Sequence, residues 1–483
     1  IGNGKSSRTL VRKGKLDFLV QTTTAGHRFT VLGEQKQPLE DASLWISGAL
    51  YEAAEDGTIV VPFSTSPGMV PFVVTDGSST TLHRFQHEAE QYQMTAGIYV
   101  DREALLERRL APVMIRPALS LNGTPVTLSV LEDVRLTISS VDHDGIRVTS
   151  QVDDFELHEG EETVHEFRVP QRLQNIQFAL TARVKSLSQG KPVDLVVAES
   201  FDVNQIERTE KTADVFLAWI DGNYVLDALG KTGEPRPARP VLVTLKHRDF
   251  RDPISLQLQA DDLGRIELGR LQDIVSVHVR DVAGSEHHWP ILQDQHSYYG
   301  SQHAGVGDVI VIPYMGSNPQ VDRLDLSLLA VRGTTYVADH FDAISVKDGM
   351  IELGDLAAGD YDLLIRSAGR RIRIRVTGAD GQQQGYLLGA SRHLEVRGEE
   401  PLQVTGITAG EEQLAIQLRG WNKFARVHVL ATRFYPAFSV ADKLGGVQDA
   451  EPYAVSTTSP RTLYVEGRDI GDEYRYIIDR KYA

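Results

Sequence analysis

The 483-residue sequence contains no cysteine. That absence excludes disulfide bridges, thiolate catalysis and cysteine-ligated zinc, and with them the small secreted scaffolds that bridges hold together. Basic residues are in deficit: 50 Lys and Arg face 66 Asp and Glu, a net charge of −16. A nucleic-acid partner is disfavoured, because phosphate binding needs a clustered basic surface. Long apolar runs are missing too. None approaches the ~18 residues of a membrane span, and no signal peptide opens the chain. The first residue is Ile1, and the chain stops at Tyr482-Ala483 straight after Asp479-Arg480-Lys481, so the segment is expected to come from a longer polypeptide. Nucleophile-elbow, phosphate-loop and His-Glu-x-x-His patterns are all absent. No catalytic, cofactor-binding or metal-ligating residue is therefore assigned, and no cofactor is expected.

What is present is repetition, the first fact to use in a chain of this length. Hydrophobic content of 41% and charged content of 24% suit a globular chain that buries cores, and the length suggests roughly three to five domains. Gly33 and Gly230, and Pro38 and Pro235, stand 197 residues apart. After an insertion near residues 247–256, the pairs Gly57/Gly264, Ile59/Ile266, Val70/Val277, Gly77/Gly284 and Ser78/Ser285 stand 207 apart. A third copy follows at 85 residues: Gly264-Arg265-Ile266-Glu267-Leu268 becomes Gly349-Met350-Ile351-Glu352-Leu353, and Gly284 becomes Gly369.

Taken in order, residues 1–13 read as a polar linker and 14–110 as a β-sandwich (copy 1) plus connector. In copy 1, Phe29, Val31, Leu44, Ile46, Ile59, Val61, Phe72 and Val74 alternate with their neighbours as half-buried strands do. The connector holds the one passable helical window, Arg102 to Leu110, which Asp101 can cap. Residues 111–205 read as a sandwich of a second type, with strands at 126–130, 134–138, 146–148, 167–169, 176–182 and 193–197. Copy 2 occupies 206–313 and copy 3 occupies 314–378. A glycine- and glutamine-rich linker (378–385) precedes a further β unit, 385–436, with strands at 414–418 and 425–431. The tail, 437–483, is expected to be an extended strap lying on other domains, with strands at 462–465 and 474–478. The fold class expected is all-β, a tandem array of Ig-like or macroglobulin-like sandwiches.

Gly230, Pro235, Val241–Leu245, the Asp262-x-Gly264-x-Ile266 pattern and Gly359-Asp360-Tyr361-Asp362-Leu363 together resemble the macroglobulin-type and transthyretin-like domains of alpha-2-macroglobulin-like bacterial surface proteins. The resemblance covers about half of the chain. It implies a string of sandwiches at a cell surface, in a periplasm or outside the cell. The thioester of the best-known macroglobulins needs a cysteine, so covalent trapping does not transfer to this segment.

The residues with chemistry to offer each have a plainer explanation. His287, His288, His296 and His303 match no zinc spacing and read as polar residues of a strand and loop, with Trp289 inward at the place of Leu82. Asp142-His143-Asp144-Gly145 lacks the closing glutamate of a calcium loop and reads as a hairpin turn. Asp153, Asp154, Glu156, Glu159, Glu161 and Glu162 read as a solvated loop rather than a carboxylate pair for glycoside hydrolysis. Asn122-Gly123-Thr124 is a glycosylation acceptor by pattern. Tyr298-Tyr299, or Tyr474 with Tyr476, offer aromatic surface or half-buried packing. The expectation is a non-enzymatic scaffold or protein-interaction module, acting on a protein partner or by self-assembly. The alternatives are the accessory region of a carbohydrate-active or proteolytic enzyme, or of a macroglobulin-like protease trap.

Overall fold

The computed structural model describes residues 14–203, 212–282, 284–291, 298–314, 320–366, 369–397, 402–410, 412–422, 425–430, 432–436, 444, 451–456, 477 and 479–482. They form a tandem array of all-β domains. Sandwich 1 comprises β1 (Asp17–Thr23), β2 (Gly26–Leu32), β3 (Ser43–Ile46), β4 (Ala49–Glu52), β5 (Thr58–Val61), β6 (Gly68–Thr75) and β7 (Thr80–His87). A three-stranded antiparallel sheet, β1-β2-β5, packs on a four-stranded one, β4-β3-β6-β7. Successive side chains point to opposite faces of a strand, and Leu44, Ile46, Ile59, Val61, Phe72 and Val74 fill the space between the sheets. Phe18, Phe29, Phe72 and Phe85 meet there with ring centroids 5.0–5.7 Å apart, in the tilted and edge-on geometries that aromatic pairs favour. Strand β2 breaks the alternation: His27, Phe29, Thr30, Val31 and Leu32 are all buried. Its second face is covered, since Leu19 and Leu32 pack against Tyr386 and Leu388 from far along the chain.

Sandwich 2 comprises β8 (Tyr92–Val100), β9 (Leu110–Leu121), β10 (Thr124–Val126), β11 (Leu131–Asp142), β12 (Arg147–Val152), β13 (Thr163–Arg168), β14 (Leu173–Ser186) and β15 (Lys191–Asp202). Its sheets are β8-β9-β13, with β10 short on the same edge of β9 as β13, and β12-β11-β14-β15. This is the strand path of sandwich 1, not a second type of unit. The expected helix over 102–110 is a single 3-10 turn, Arg102–Ala104. Leu105 is buried, but Leu106 points to solvent. The helix cannot continue because Arg108 N donates to Val169 O and Val169 N to Arg109 O, with Arg108 at φ +62°. The strand expected at 126–130 is likewise interrupted by a 3-10 turn, Leu128–Val130, capped by the Thr127 hydroxyl.

Sandwich 3 repeats the path again. Its strands are β16 (Ala213–Ile220), β17 (Asn223–Gly230), β18 (Pro240–His247), β19 (Ile254–Gln259), β20 (Arg265–Gly269), β21 (Ile274–Asp281) and β22 (Glu286–Pro290), in sheets β16-β17-β20 and β19-β18-β21-β22.

Sandwich 4 comprises β23 (Ser301–Gly305), β24 (Ile310–Pro313), β25 (Leu326–Arg332), β26 (Thr335–Asp339), β27 (Ile344–Lys347), β28 (Met350–Leu353), β29 (Gly359–Ile365) and β30 (Arg370–Thr377). Here the first strand has changed sheets: β23 runs parallel to β30 in a sheet ordered β23-β30-β29-β25-β26, facing β24-β28-β27. Ala304, Ile310 and Ile312 share one core with Leu326, Ile351 and Leu363, so the boundary expected at 313 falls inside this sandwich.

The repeat offsets hold at the level of individual hydrogen bonds. Gly33 N donates to Gln37 O and Leu39 N to Val31 O; 197 residues on, Gly230 N donates to Glu234 O and Arg236 N to Ala228 O. Gly57, Gly264 and Gly349 all lie at φ of +72 to +75°, the left-handed region that glycine enters without steric cost. Ile59, Ile266 and Ile351 follow in equivalent strands, and all are buried. Gly77, Gly284 and Gly369 lie in the connections of three antiparallel hairpins, while Ala283 and Ala368 lie outside the described residues.

Two corrections apply at these hairpins. Val70 pairs with Phe85 and Val277 with Trp289, so Trp289 occupies the place of Phe85. The first hairpin is three residues longer, and an odd shift exchanges faces; hence Leu82 is exposed and Trp289 buried. In copy 3 the facing slips by one: Leu363 and Ile365 enter the core, whereas Asp362, 85 residues beyond Val277, bonds to Arg373 and Tyr336.

Residues 378–385 are not a linker: β31 (Ala379–Gln383) forms a sheet with β32 (Tyr386–Gly389), β33 (Arg392–Glu395) and β36 (Ala454–Ser456). A separate hairpin joins β34 (Gln403–Ala409) to β35 (Leu414–Arg419). The strand expected at 425–431 does not form over its described part, 425–430. Of the possible strands in the tail, 462–465 lies outside the described residues, and in 474–478 the one described residue, Ile477, is helical.

Candidate interaction surfaces

The histidines do not converge. His287 Nε2 lies 2.7 Å from Asp214 Oδ1, and its ring stacks on Trp289. His288 is exposed beside His278. His303 belongs to sandwich 4, where Nδ1 meets Glu395 O at 2.8 Å and Nε2 meets Arg375 at 3.1 Å; burial and then the neighbouring arginines hold its pKa down. His296 lies outside the described residues. Among those residues, no three His, Asp or Glu side chains are grouped as metal ligands.

Five of the eight carboxylates are likewise engaged, while Asp154, Glu156 and Glu161 are exposed. Asp142 Oδ1 accepts from the backbone N–H of Asp144 and Ile146, closing a hairpin turn at Gly145, φ +83°. Asp144 pairs with Arg172. Asp153 pairs with Arg135. Glu159 accepts from Thr127 and the Leu128 N–H, and Glu162 binds Arg426 and His428. Asn122 uses its amide to tie sandwich 2 to sandwich 1, donating to Glu88 Oε2 and Ala89 O. Tyr299 lies under the Arg397 guanidinium; Tyr474 and Tyr476 lie outside the described residues.

Sequence periodicity could not anticipate the role of residues 378–456. The described residues among them touch every sandwich. Sandwich 4 receives Arg392 on Asp360 and on the carbonyls of Gly359 and Val376. Sandwich 1 receives Tyr386 and Leu388, and a buried charged junction in which Asp17 Oδ2 lies 2.8 Å from Lys36 Nζ and 3.5 Å from His393 Nε2. Burial opposes ionisation of Asp17, but His393 and Lys36 outweigh it and hold the carboxyl well below the usual range. Sandwich 2 receives Arg426 and His428 on Glu162, and Arg116 donates to Leu444 O. Sandwich 3 receives Tyr435, whose N–H bonds Leu217 O at 2.6 Å and whose carbonyl accepts from the Trp289 indole. The alternation Arg426-Val427-His428 thus serves docking instead of a hydrogen-bond ladder.

The outer faces of the four-stranded sheets differ. In sandwich 2 one row across the sheet reads Thr149, Ser139, Gln177, Ser200, with the first two hydroxyls 3.2 Å apart. In sandwich 3 a row reads Ser255, Thr244, His278, His288, again with a hydroxyl pair at 3.1 Å. In sandwich 1 the cross-strand row is Leu50, Trp45, Val73, Leu82. Leu50 is 59% exposed, Trp45 52% and Leu82 66%. Pro71 and Met69 continue the apolar surface along β6, and Met69 is 61% exposed. Sequence reading missed this row because β-strand patterning was used to find the inner face only.

Residues 101–209 match the family model described as the AbpF third immunoglobulin-like domain. The whole chain aligns at 29% identity with Actin-binding protein F of Dictyostelium discoideum, and it spans 22% of that protein's length. Among solved structures, the tetra-tandem repeat in the extending region of a large adhesion protein shares 11% identity at a TM-score of 0.16, over 75% of this chain and 98% of that one. Trypsin-activated alpha-2-macroglobulin from Escherichia coli shares 11% identity at 0.21, over 78% of this chain and 30% of that one.

Proposed function

We propose that this chain is a non-catalytic interaction module within a longer polypeptide, and that its partner is the actin filament. The observation that carries this reading is the alignment of the whole chain with an actin-binding protein. The geometry supports it: each sandwich closes its own core, and His287, His303, Asp142, Asp144, Asp153, Glu159 and Glu162 are engaged within the chain. On this reading the chain works where actin filaments are, in the cytoplasm; the expectation of a surface, periplasmic or extracellular setting is the alternative.

The test is co-sedimentation of the 483-residue chain with filamentous actin at low and physiological ionic strength. Saturable pelleting is expected. A cooperatively folded chain that stays in the supernatant at both strengths removes actin as the partner. For location, protease added to intact cells should leave the parent protein whole; digestion would return it to the cell surface.

A further inference from the structure

We propose that the apolar outer face of sandwich 1 docks on the same face of a second copy of the chain, with the two sheets crossing at about a right angle. The fold does not demand this face: at the 207-residue offset the same row of sandwich 3 reads Gln257, Leu242, Arg280, Glu286, with Arg280 and Glu286 ion-paired, and sandwich 2 carries the polar row Thr149, Ser139, Gln177, Ser200 on the same strand path. An exposed apolar row on one strand path of three is surface kept for contact.

Its charged corners select the occupant. Glu52 lies on edge strand β4, opposite Ser43, one row to one side of Leu50-Trp45-Val73-Leu82. Arg84 lies on the other edge strand, β7, opposite Pro71, one row to the other side. Both are exposed, and neither has an ion-pair partner among the described residues. Three strand spacings of ~4.8 Å separate them across the sheet, and four residues at ~3.4 Å along it. The two legs are nearly equal, so Glu52 and Arg84 mark opposite corners of a square about 14 Å on a side.

A two-fold axis in the plane of contact, set diagonally to the strands, crosses the sheets at right angles. It brings each Arg84 over the partner copy's Glu52, with Trp45 and Val73 at the centre. One self-complementary patch thus supplies both apolar and charged matches, as an isologous interface requires. The sheet face offers roughly 500 Å² per copy, below the ~800 Å² per partner of a standard stable interface, so the association is weak and concentration-dependent.

The test is sedimentation equilibrium of the whole chain from about 1 to 200 µM, a range suited to a micromolar constant. A monomer–dimer equilibrium is expected. Trp45→Thr with Leu82→His should abolish it, while the melting temperature shows that the fold survives. Arg84→Glu alone and Glu52→Arg alone should each weaken association about tenfold or more, and the two together should restore it. A chain that is monomeric throughout overturns the proposal, as does a dimer indifferent to Trp45 and Leu82. Failure of the double exchange to restore association overturns the crossed two-fold geometry. A monomer whose actin co-sedimentation is lost on Trp45→Thr would assign the face to the filament instead.

Discussion

Sandwiches 1 and 3 thread seven strands along the same path yet differ in what their faces hold. Inward, Ile59 and Ile266 occupy one site after one turn; outward, Leu50-Trp45-Val73-Leu82 stands against Gln257-Leu242-Arg280-Glu286. The inner face is constrained by packing, where each side chain must fit its neighbours. The outer face answers only to water or to a partner. Function in such an array is therefore sought on the faces where copies disagree.

The comparison can be broken first at the shared core. Ile59→Ala and Ile266→Ala should each destabilise their sandwich by about 3–4 kcal/mol through lost burial and a residual cavity. Hydrogen exchange should report the loss in β2 and β5, or in β17 and β20, separately. If one substitution is silent, the two sites are not equivalent.

The next effect separates the two turns. A Cβ at Gly264 would lie 2.8 Å from Ala228 O and 2.9 Å from Arg236 N, whereas at Gly57 its nearest neighbour would be Glu40 Cα at 3.4 Å. Gly264→Ala should therefore cost about 3 kcal/mol, from left-handed backbone strain plus the clash, and Gly57→Ala about 1 kcal/mol from strain alone. Equal losses in denaturant unfolding would show the turns to be equally open.

A third difference is pH dependence. His27 is buried between Phe63, Phe85 and His87, and its Nε2 accepts from the Glu88 N–H. Burial first, then His87, lowers its pKa to about 4. Between that value and the ordinary ~6.5 the unfolded chain binds the proton and the folded one does not, so stability falls as pH drops through this window. Sandwich 1 should lose about 2–3 kcal/mol between pH 7 and 4. Sandwich 3, with Tyr224 197 residues beyond His27, lacks this contribution. His27→Phe should flatten the exchange-derived profile; an unchanged slope would assign it to another group. The smallest effect belongs to the outer row: Trp45→Thr should change stability by less than about 0.5 kcal/mol, and a larger loss would mean the indole packs on its own sheet.

The strands and turns of the copies were legible because glycine at positive φ and a buried isoleucine two residues later are local demands. Leu82 was misplaced since three residues hidden in a hairpin cannot be seen in an offset anchored on Gly77. The 425–430 stretch alternates like a strand, but Arg426 and His428 serve Glu162, a partner 266 residues away in the case of His428. Long-range docking of that kind leaves no period to read. The row on sandwich 1 was in plain sight as residues, but pairing Trp45 with Leu50 and Val73 required the register.

The returning segment also alters how the array bears load. A tandem string under tension extends in series, each domain feeling the full force. Here β32 and β33 bridge sandwich 1 to sandwich 4, so tension applied between Leu16 and Thr377 has a parallel route through the Leu19–Leu388 and Arg392–Asp360 contacts. Sandwiches 2 and 3 are shielded until that clasp slips. The clasp holds by side chains rather than a strand ladder, so it is expected to yield before the strand ladders of the sandwiches, as a fuse does.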